Sequence, residues 1–137
     1  NYCNSEYEYQ TSSIKREGFK GCLCNKQDPN LSSKKQVYRY YKTNAKTKNR
    51  AFSLSLKYFI KLCESSCYYC GKKNTNKINK DGLFGSWKYN GIDRVNNTKG
   101  YTKDNCVSCC YKCNKMKSDY LKEEFLEHIK SIYKYNN

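Results

Sequence analysis

The chain has 137 residues, enough for one domain or a small domain with an extension. Lys and Arg number 27 against 12 Asp and Glu, a net charge of +15. No run approaches the ~20 apolar residues of a membrane span, so a helical membrane protein is excluded.

Leu, Ile, Val and Phe together supply only 22 residues, which with this charge is a composition typical of disorder. The 15 Tyr and 10 Cys argue the other way, because aromatics fill a core and cysteines pin one. Lys, Asn and Tyr make up 54 residues and Arg only 4. Codon usage in an AT-rich genome accounts for that choice of residues, but not for the scarcity of acids. A charge of this size favours a polyanion partner, with nucleic acid first. The chain opens on Asn1 rather than Met. A preceding segment that carries any targeting signal is therefore expected, and the expected location is intracellular, an organelle included.

Residues 1–30 hold Cys3, Cys22, Cys24 and several turn formers and read as a loop-rich segment. From Pro29 to Cys63 there are nine Lys or Arg and no acid. Leu31-Ser32-Ser33 predicts a helix start with a serine cap before Lys34. Val37, Tyr40, Tyr41 and Ala45 then share one helix face. Lys34, Lys35, Arg39, Lys42, Lys46, Lys48 and Arg50 spread around it. They read either as a solvated face or as a surface laid along a phosphate backbone, and the lack of acids favours the second. A short helix is predicted over Leu56–Glu64, with Leu56, Phe59, Ile60 and Leu62 or Cys63 inward. Residues 71–90 read as a long polar loop ending in a strand, with Leu83, Phe84 and Trp87 as anchors. Ser118-Asp119 is the expected start of a last helix that packs through Leu121, Phe125, Ile129 and Ile132. His128, the single histidine, reads as structural or surface. The domain division is thus 1–30, a basic helix and linker over 31–53, and a zinc-binding domain over 54–137.

Cys67-Tyr-Tyr-Cys70-Gly71 is a zinc knuckle, and Cys110-Tyr-Lys-Cys113 is its partner across 39 residues. Two residues between thiolates let one metal take both sulfurs. Two disulfides, or free buried thiols, are the competing readings, disfavoured because Lys-rich chains with two such knuckles resemble intracellular zinc proteins. Cys106 and Cys109 form another CxxC that competes for the metal, and Cys63 reads as a core thiol.

Between and after the knuckles stand Asn90-Gly-Ile-Asp93-Arg94-Val-Asn-Asn-Thr-Lys-Gly-Tyr-Thr-Lys-Asp-Asn105 and Cys106-Val-Ser-Cys-Cys-Tyr-Lys-Cys113-Asn114-Lys-Met-Lys117, with no role read for Asn90. Their order and spacing from about Leu54 to Tyr133 resemble the HNH endonuclease family, in particular its phage and mobile-element branch. The resemblance implies an α+β fold: a zinc-stapled ββα-metal unit with flanking helices. It implies that Asp93 and Asn114 supply oxygen ligands to Mg²⁺ or Mn²⁺ and that Asn105 holds the turn. It makes Cys113, next to Asn114, a zinc ligand, and it places Lys117 on the same helix face within reach of phosphate. Four thiolates leave zinc no open position, so the zinc is structural. Arg94 stands where the family has its general-base His. Arginine cannot take a proton at neutral pH, although it binds phosphate well. The base then falls to water or to a tyrosine such as Tyr101. Asn96 replaces a further carboxylate of the branch. Cys3, Cys22 and Cys24 resemble part of a second zinc ribbon, with three free thiols as the alternative.

Two functions follow. One is a metal-dependent DNA endonuclease. The other is a silent HNH-like zinc protein that binds DNA or RNA as a subunit of a large ribonucleoprotein, such as an organellar ribosome. The missing histidine and the +15 charge motivate the second.

Overall fold

Asp28-Pro29-Asn30 turns the chain into its first helix. The Asp28 carboxylate accepts the Asn30 N–H at 2.9 Å, and the Asp28 carbonyl accepts that of Leu31 at 3.1 Å. The computed structural model describes residues 28–79 and 85–137, so Cys3, Cys22, Cys24, Leu83 and Phe84 lie outside it. Helix α1 runs Leu31–Thr47, α2 Leu56–Glu64, α3 Tyr111–Lys117 and α4 Lys122–Asn136. Strands β1 (Asn76–Ile78) and β2 (Trp87–Tyr89) form one antiparallel hairpin, and β3 (Gly91–Arg94) and β4 (Cys106–Cys109) another. The described residues thus form a small α+β protein, and none of their helices is long and apolar enough to cross a membrane.

The expected serine cap is corrected: the Asp28 turn starts α1 earlier. Ser33 lies inside the helix, buried, and donates its hydroxyl to the Gly85 carbonyl at 2.9 Å. The buried face is also rotated from the expected one. Tyr40 is 65% exposed, whereas Tyr38 turns inward with Val37, Tyr41 and Ala45. Tyrosines bury where the hydroxyl finds a partner. Tyr38 donates to the Leu54 carbonyl at 2.8 Å, and Tyr41 accepts the Ile92 N–H at 3.2 Å.

Helix α2 has the expected bounds, and the Ser55 side chain accepts the Tyr58 N–H to cap it. Phe59 and Cys63 are fully buried beside Val37, Leu54, Trp87, Ile92 and Cys106. Tyr38 and Tyr41 set their rings edge-on to Phe59 at 5.4 and 5.2 Å. Aromatics therefore do supply the core that so few aliphatics could not. Because α1 shares this core, no structural boundary falls between residues 53 and 54.

The 71–90 loop is corrected too. It contains β1, paired Asn76 to Tyr89 and Ile78 to Trp87. Three residues are too few to carry an alternation signal. In β3–β4, Asp93 faces Val107 and Arg94 faces Cys106. Helix α3 follows directly and packs on β3, completing a ββα unit.

The last helix does not begin at Ser118-Asp119. Ser118 takes φ 46° and ends α3, and the chain re-enters helix at Lys122. The Glu124 carboxylate accepts the Leu121 N–H at 2.9 Å there. Of its expected packing face only Phe125 is buried, and Ile132 is 47% exposed. His128 is exposed.

Candidate functional site

The two knuckles close on one point. The Sγ atoms of Cys67, Cys70, Cys110 and Cys113 all lie within 4.8 Å of one another, and Cys70 and Cys110 are 3.6 Å apart. A tetrahedron with bonds of about 2.3 Å to sulfur has edges of about 3.8 Å. The four cysteines can therefore hold a metal such as zinc. Local backbone shapes the cluster. Gly71, at φ 72°, lets the first knuckle turn back, so that Cys67 donates its N–H to the Lys72 carbonyl at 2.7 Å. Cys110 caps α3, its sulfur accepting the Cys113 N–H at 3.4 Å. Burial raises the Cys67 thiol, but hydrogen bonds from the backbone at Cys110, Cys70 and Tyr69 outweigh it and bring the thiol down to about 6. Burial pushes Cys110 and Cys113 the other way, so of these three only Cys67 is drawn toward the thiolate a metal needs. The competing pair is not part of the four-sulfur set, although Cys109 packs beside it. Cys106 sits in the main core, pushed up to about 12 by burial, and buried Cys109 donates to the Cys110 carbonyl. Cys63 is a core thiol raised by burial.

Asp93 is 4% exposed at the end of β3. The Tyr69 hydroxyl donates to its Oδ2 at 2.7 Å. The Lys117 Nζ lies 3.4 Å from Oδ1 and 3.3 Å from Oδ2, and donates to the Arg94 carbonyl at 3.1 Å. The phosphate contact expected of Lys117 is thereby corrected: its side chain is fully buried and committed to Asp93. A buried ammonium needs such a partner. Burial and the bond to Asp93 raise Tyr69, which keeps its proton. Both groups touching the carboxylate act as donors to it.

Arg94 is likewise not aimed at a ligand. One guanidinium nitrogen, Nη1, donates to the carbonyls of Asn97 and Lys99 at 2.7 and 2.8 Å, and the group lies over the Tyr101 ring. It binds the β3–β4 loop together from beneath. Asn105 does the same from the other strand. It accepts the Asn96 N–H and donates to the carbonyls of Asn96 and Gly100, each at 2.9 Å. Asn96 closes its own turn by accepting from Thr98. Asn114 is exposed on α3, three residues before Lys117, and its side chain makes no hydrogen bond among the described residues.

Of the basic stretch, Lys34 is corrected. It pairs with Asp28 at 3.1 Å and Glu64 at 2.6 Å, over the Trp87 ring. Burial lowers this ammonium, but those hydrogen bonds hold it above its ordinary value. Lys35, Arg39, Lys42, Lys46 and Lys48 are exposed, Arg50 is half-buried, and among the described residues no carboxylate pairs with them. Lys42, Lys46 and Arg50 line a concavity of about 670 Å³ at the end of α1. Tyr41 connects this helix to the strand of Asp93, and a Cβ on Gly91 would come within 2.9 Å of its hydroxyl.

Two residues escaped the sequence reading. Tyr69 lies between knuckle cysteines, where only the second of two adjacent tyrosines turns inward. Asn90 is fully buried, donates to the carbonyls of Ser65 and Lys72, and accepts twice from Thr75. Its place directly before Gly91-Ile-Asp93 was the available signal.

No family model matches the chain. An uncharacterized protein of Acanthamoeba polyphaga mimivirus is 36% identical over 98% of this chain. An uncharacterized 29.0 kDa protein of Enterobacteria phage T4 is 28% identical over 68% of it. The chain spans 23% and 35% of the length of these two relatives. Among solved structures, the rare-cutting HNH restriction endonuclease PacI matches with a TM-score of 0.54 at 20% identity, over 74% of this chain and 77% of that one. The chain has an HNH-like fold.

Proposed function

We propose that the chain is an HNH-type, metal-dependent DNA endonuclease of the phage and mobile-element branch, with one structural zinc on Cys67, Cys70, Cys110 and Cys113. The observation that carries the reading is Asp93. It is a buried carboxylate at the end of the first strand of a ββα unit, turned toward the helix that bears Asn114 and Lys117. The donors fit a hard cation: a carboxylate oxygen has lone pairs beyond the one Tyr69 uses, and the Asn114 amide is exposed. Lys117 has a second acceptor in the Arg94 carbonyl, so its hold on Asp93 is not obligatory. A bound Mg²⁺ or Mn²⁺ supplies Lewis-acid stabilisation of the scissile phosphate and its leaving oxygen. Tyr69 and Lys117 orient Asp93, and Arg94 and Asn105 fix the loop beside it. Lys35, Arg39, Lys42, Lys46, Lys48 and Arg50 hold the DNA backbone away from the cut. A zinc held by four thiolates would suit a reducing, intracellular setting. The relatives and the solved neighbour give the ribonucleoprotein reading no support.

The test is plasmid nicking or cutting with Mn²⁺ or Mg²⁺. The parent is expected to cleave and chelation to stop it, while Asp93→Asn binds DNA but does not cut. Cleavage by Asp93→Asn at the parent's rate overturns the assignment.

A further inference from the structure

The four-cysteine cluster and Asp93 are usually two separate matters, one of stability and one of chemistry. Here one side chain touches both. Tyr69 is held on either side by Cys67 and Cys70, and its ring packs against the cluster. Phe125 of α4 meets that ring edge-on at 5.5 Å, and Tyr68 does so from the exposed side at 5.2 Å. The Tyr69 backbone contributes to the hydrogen bonding of the Cys67 sulfur. Its hydroxyl donates to Asp93 at 2.7 Å, the shortest polar contact the carboxylate makes. The contrast with Tyr68 is direct. That residue is 52% exposed, and its ring lies 5.3 Å from the Lys122 ammonium.

We propose that Tyr69 is a positioning residue: it fixes the rotamer of Asp93 from the zinc knuckle, and so sets the affinity for the cation that Asp93 holds. This rests on the reading of Asp93 as a cation ligand. The physical reason is that Lys117 lies almost equally far from the two carboxylate oxygens, at 3.4 and 3.3 Å, whereas the 2.7 Å bond from Tyr69 goes to Oδ2 alone and so sets which oxygen is turned to the knuckle. The groups that orient a ligand in this way typically change metal affinity 10- to 100-fold when removed. A metal on the four cysteines would close the knuckle and make that anchoring rigid. It also gives α4 a task, since its one buried residue, Phe125, is the residue that backs Tyr69.

The test uses the full chain and Tyr69→Phe, which keeps the ring and its packing and removes only the hydroxyl. Free Mn²⁺ is titrated by electron paramagnetic resonance in the presence of uncleavable DNA, alongside zinc content, thermal melting and cleavage against Mn²⁺ concentration. The expected result is an unchanged zinc content and a Mn²⁺ dissociation constant raised about 10- to 100-fold. Cleavage should recover at high Mn²⁺, with the KM for DNA unchanged. Phe125→Leu, which loosens the backing of the ring, should move the Mn²⁺ constant in the same direction by less. If Tyr69→Phe binds Mn²⁺ within about twofold of the parent while the parent cuts, the positioning role is overturned and the nuclease reading stands. If the parent with its zinc in place neither binds Mn²⁺ nor cuts, both fall together.

Discussion

The described residues contain two antiparallel hairpins of similar size and opposite character. In β3–β4, seven of eight residues are buried, and the loop between the strands is tied by Arg94 and Asn105. In β1–β2 only Trp87 is buried, and Lys77 stands opposite Lys88, both exposed. A two-stranded hairpin is marginal alone in water. The first is stable because α2, α3 and the knuckles enclose it. The second is held by Trp87, with half-buried Ile78 and Tyr89 packed beside it. The candidate chemistry sits on the enclosed hairpin, where a carboxylate can be held in one orientation. Side-chain identity matters there in a way it does not on the open one.

The largest break in this contrast is loss of the cysteine cluster. Structural zinc in small domains contributes about 10–16 kcal/mol of apparent binding free energy. Cys110→Ser, or strong chelation, is expected to abolish amide protection throughout β3–β4 and to remove the cooperative thermal transition. Retained protection in a zinc-free sample would disprove the staple.

Next comes the buried ion pair. Asp93→Ala leaves the Lys117 ammonium buried without its counter-charge, which costs about 3–5 kcal/mol. Urea denaturation is the measurement, and the double variant with Lys117→Met should regain most of the loss. If the single and double variants are equally unstable, the pair is not what holds α3 to β3. Asp93→Asn also removes the counter-charge, but it keeps the shape of the side chain and an oxygen that accepts from Lys117, so it disturbs the fold less than Asp93→Ala and is the cleaner probe of cutting.

The loop ties are smaller. Asn105→Ala strands carbonyls of Asn96 and Gly100 and is expected to cost about 1–3 kcal/mol. Arg94→His should fall in the same range, because imidazole cannot span the Asn97 and Lys99 carbonyls together. It is expected to lower cleavage rather than restore a lost base. A faster enzyme would mean that the loop is held some other way.

The smallest effect has the opposite sign. Like charges directly across a hairpin are unfavourable, and an opposite pair is worth roughly 0.2–1 kcal/mol. Lys88→Glu should therefore stabilise β1–β2 slightly, seen as slower amide exchange at Asn76–Ile78, without altering metal content. A fall in DNA affinity beyond that expected of one surface charge would assign this hairpin to the interface as well.

Some of this was legible from the residues because it is local. The knuckle spacing and the α2 stripe each depend on neighbours a few residues away, and the Asn105 turn was legible through the family resemblance. The aromatic core was legible from composition. Long-range contacts decided the rest. Lys34 and Lys117 look in sequence like any other lysine of a basic chain. Only the placement of Asp28 and Glu64 beside one, and of Asp93 beside the other, removes them from the surface. Cys106 and Cys109 have the same spacing as Cys110 and Cys113. The strand turns Cys106 into the hydrophobic core, and the helix that follows turns Cys110 and Cys113 toward the other knuckle. Two adjacent tyrosines in the first knuckle are equivalent on paper, and the fold sends only Tyr69 inward to Asp93. Spacing fixes which residue types meet a ligand within one turn or one loop. Which charges stay free, and which tyrosine donates, depends on segments 24 residues or more away that only packing brings near.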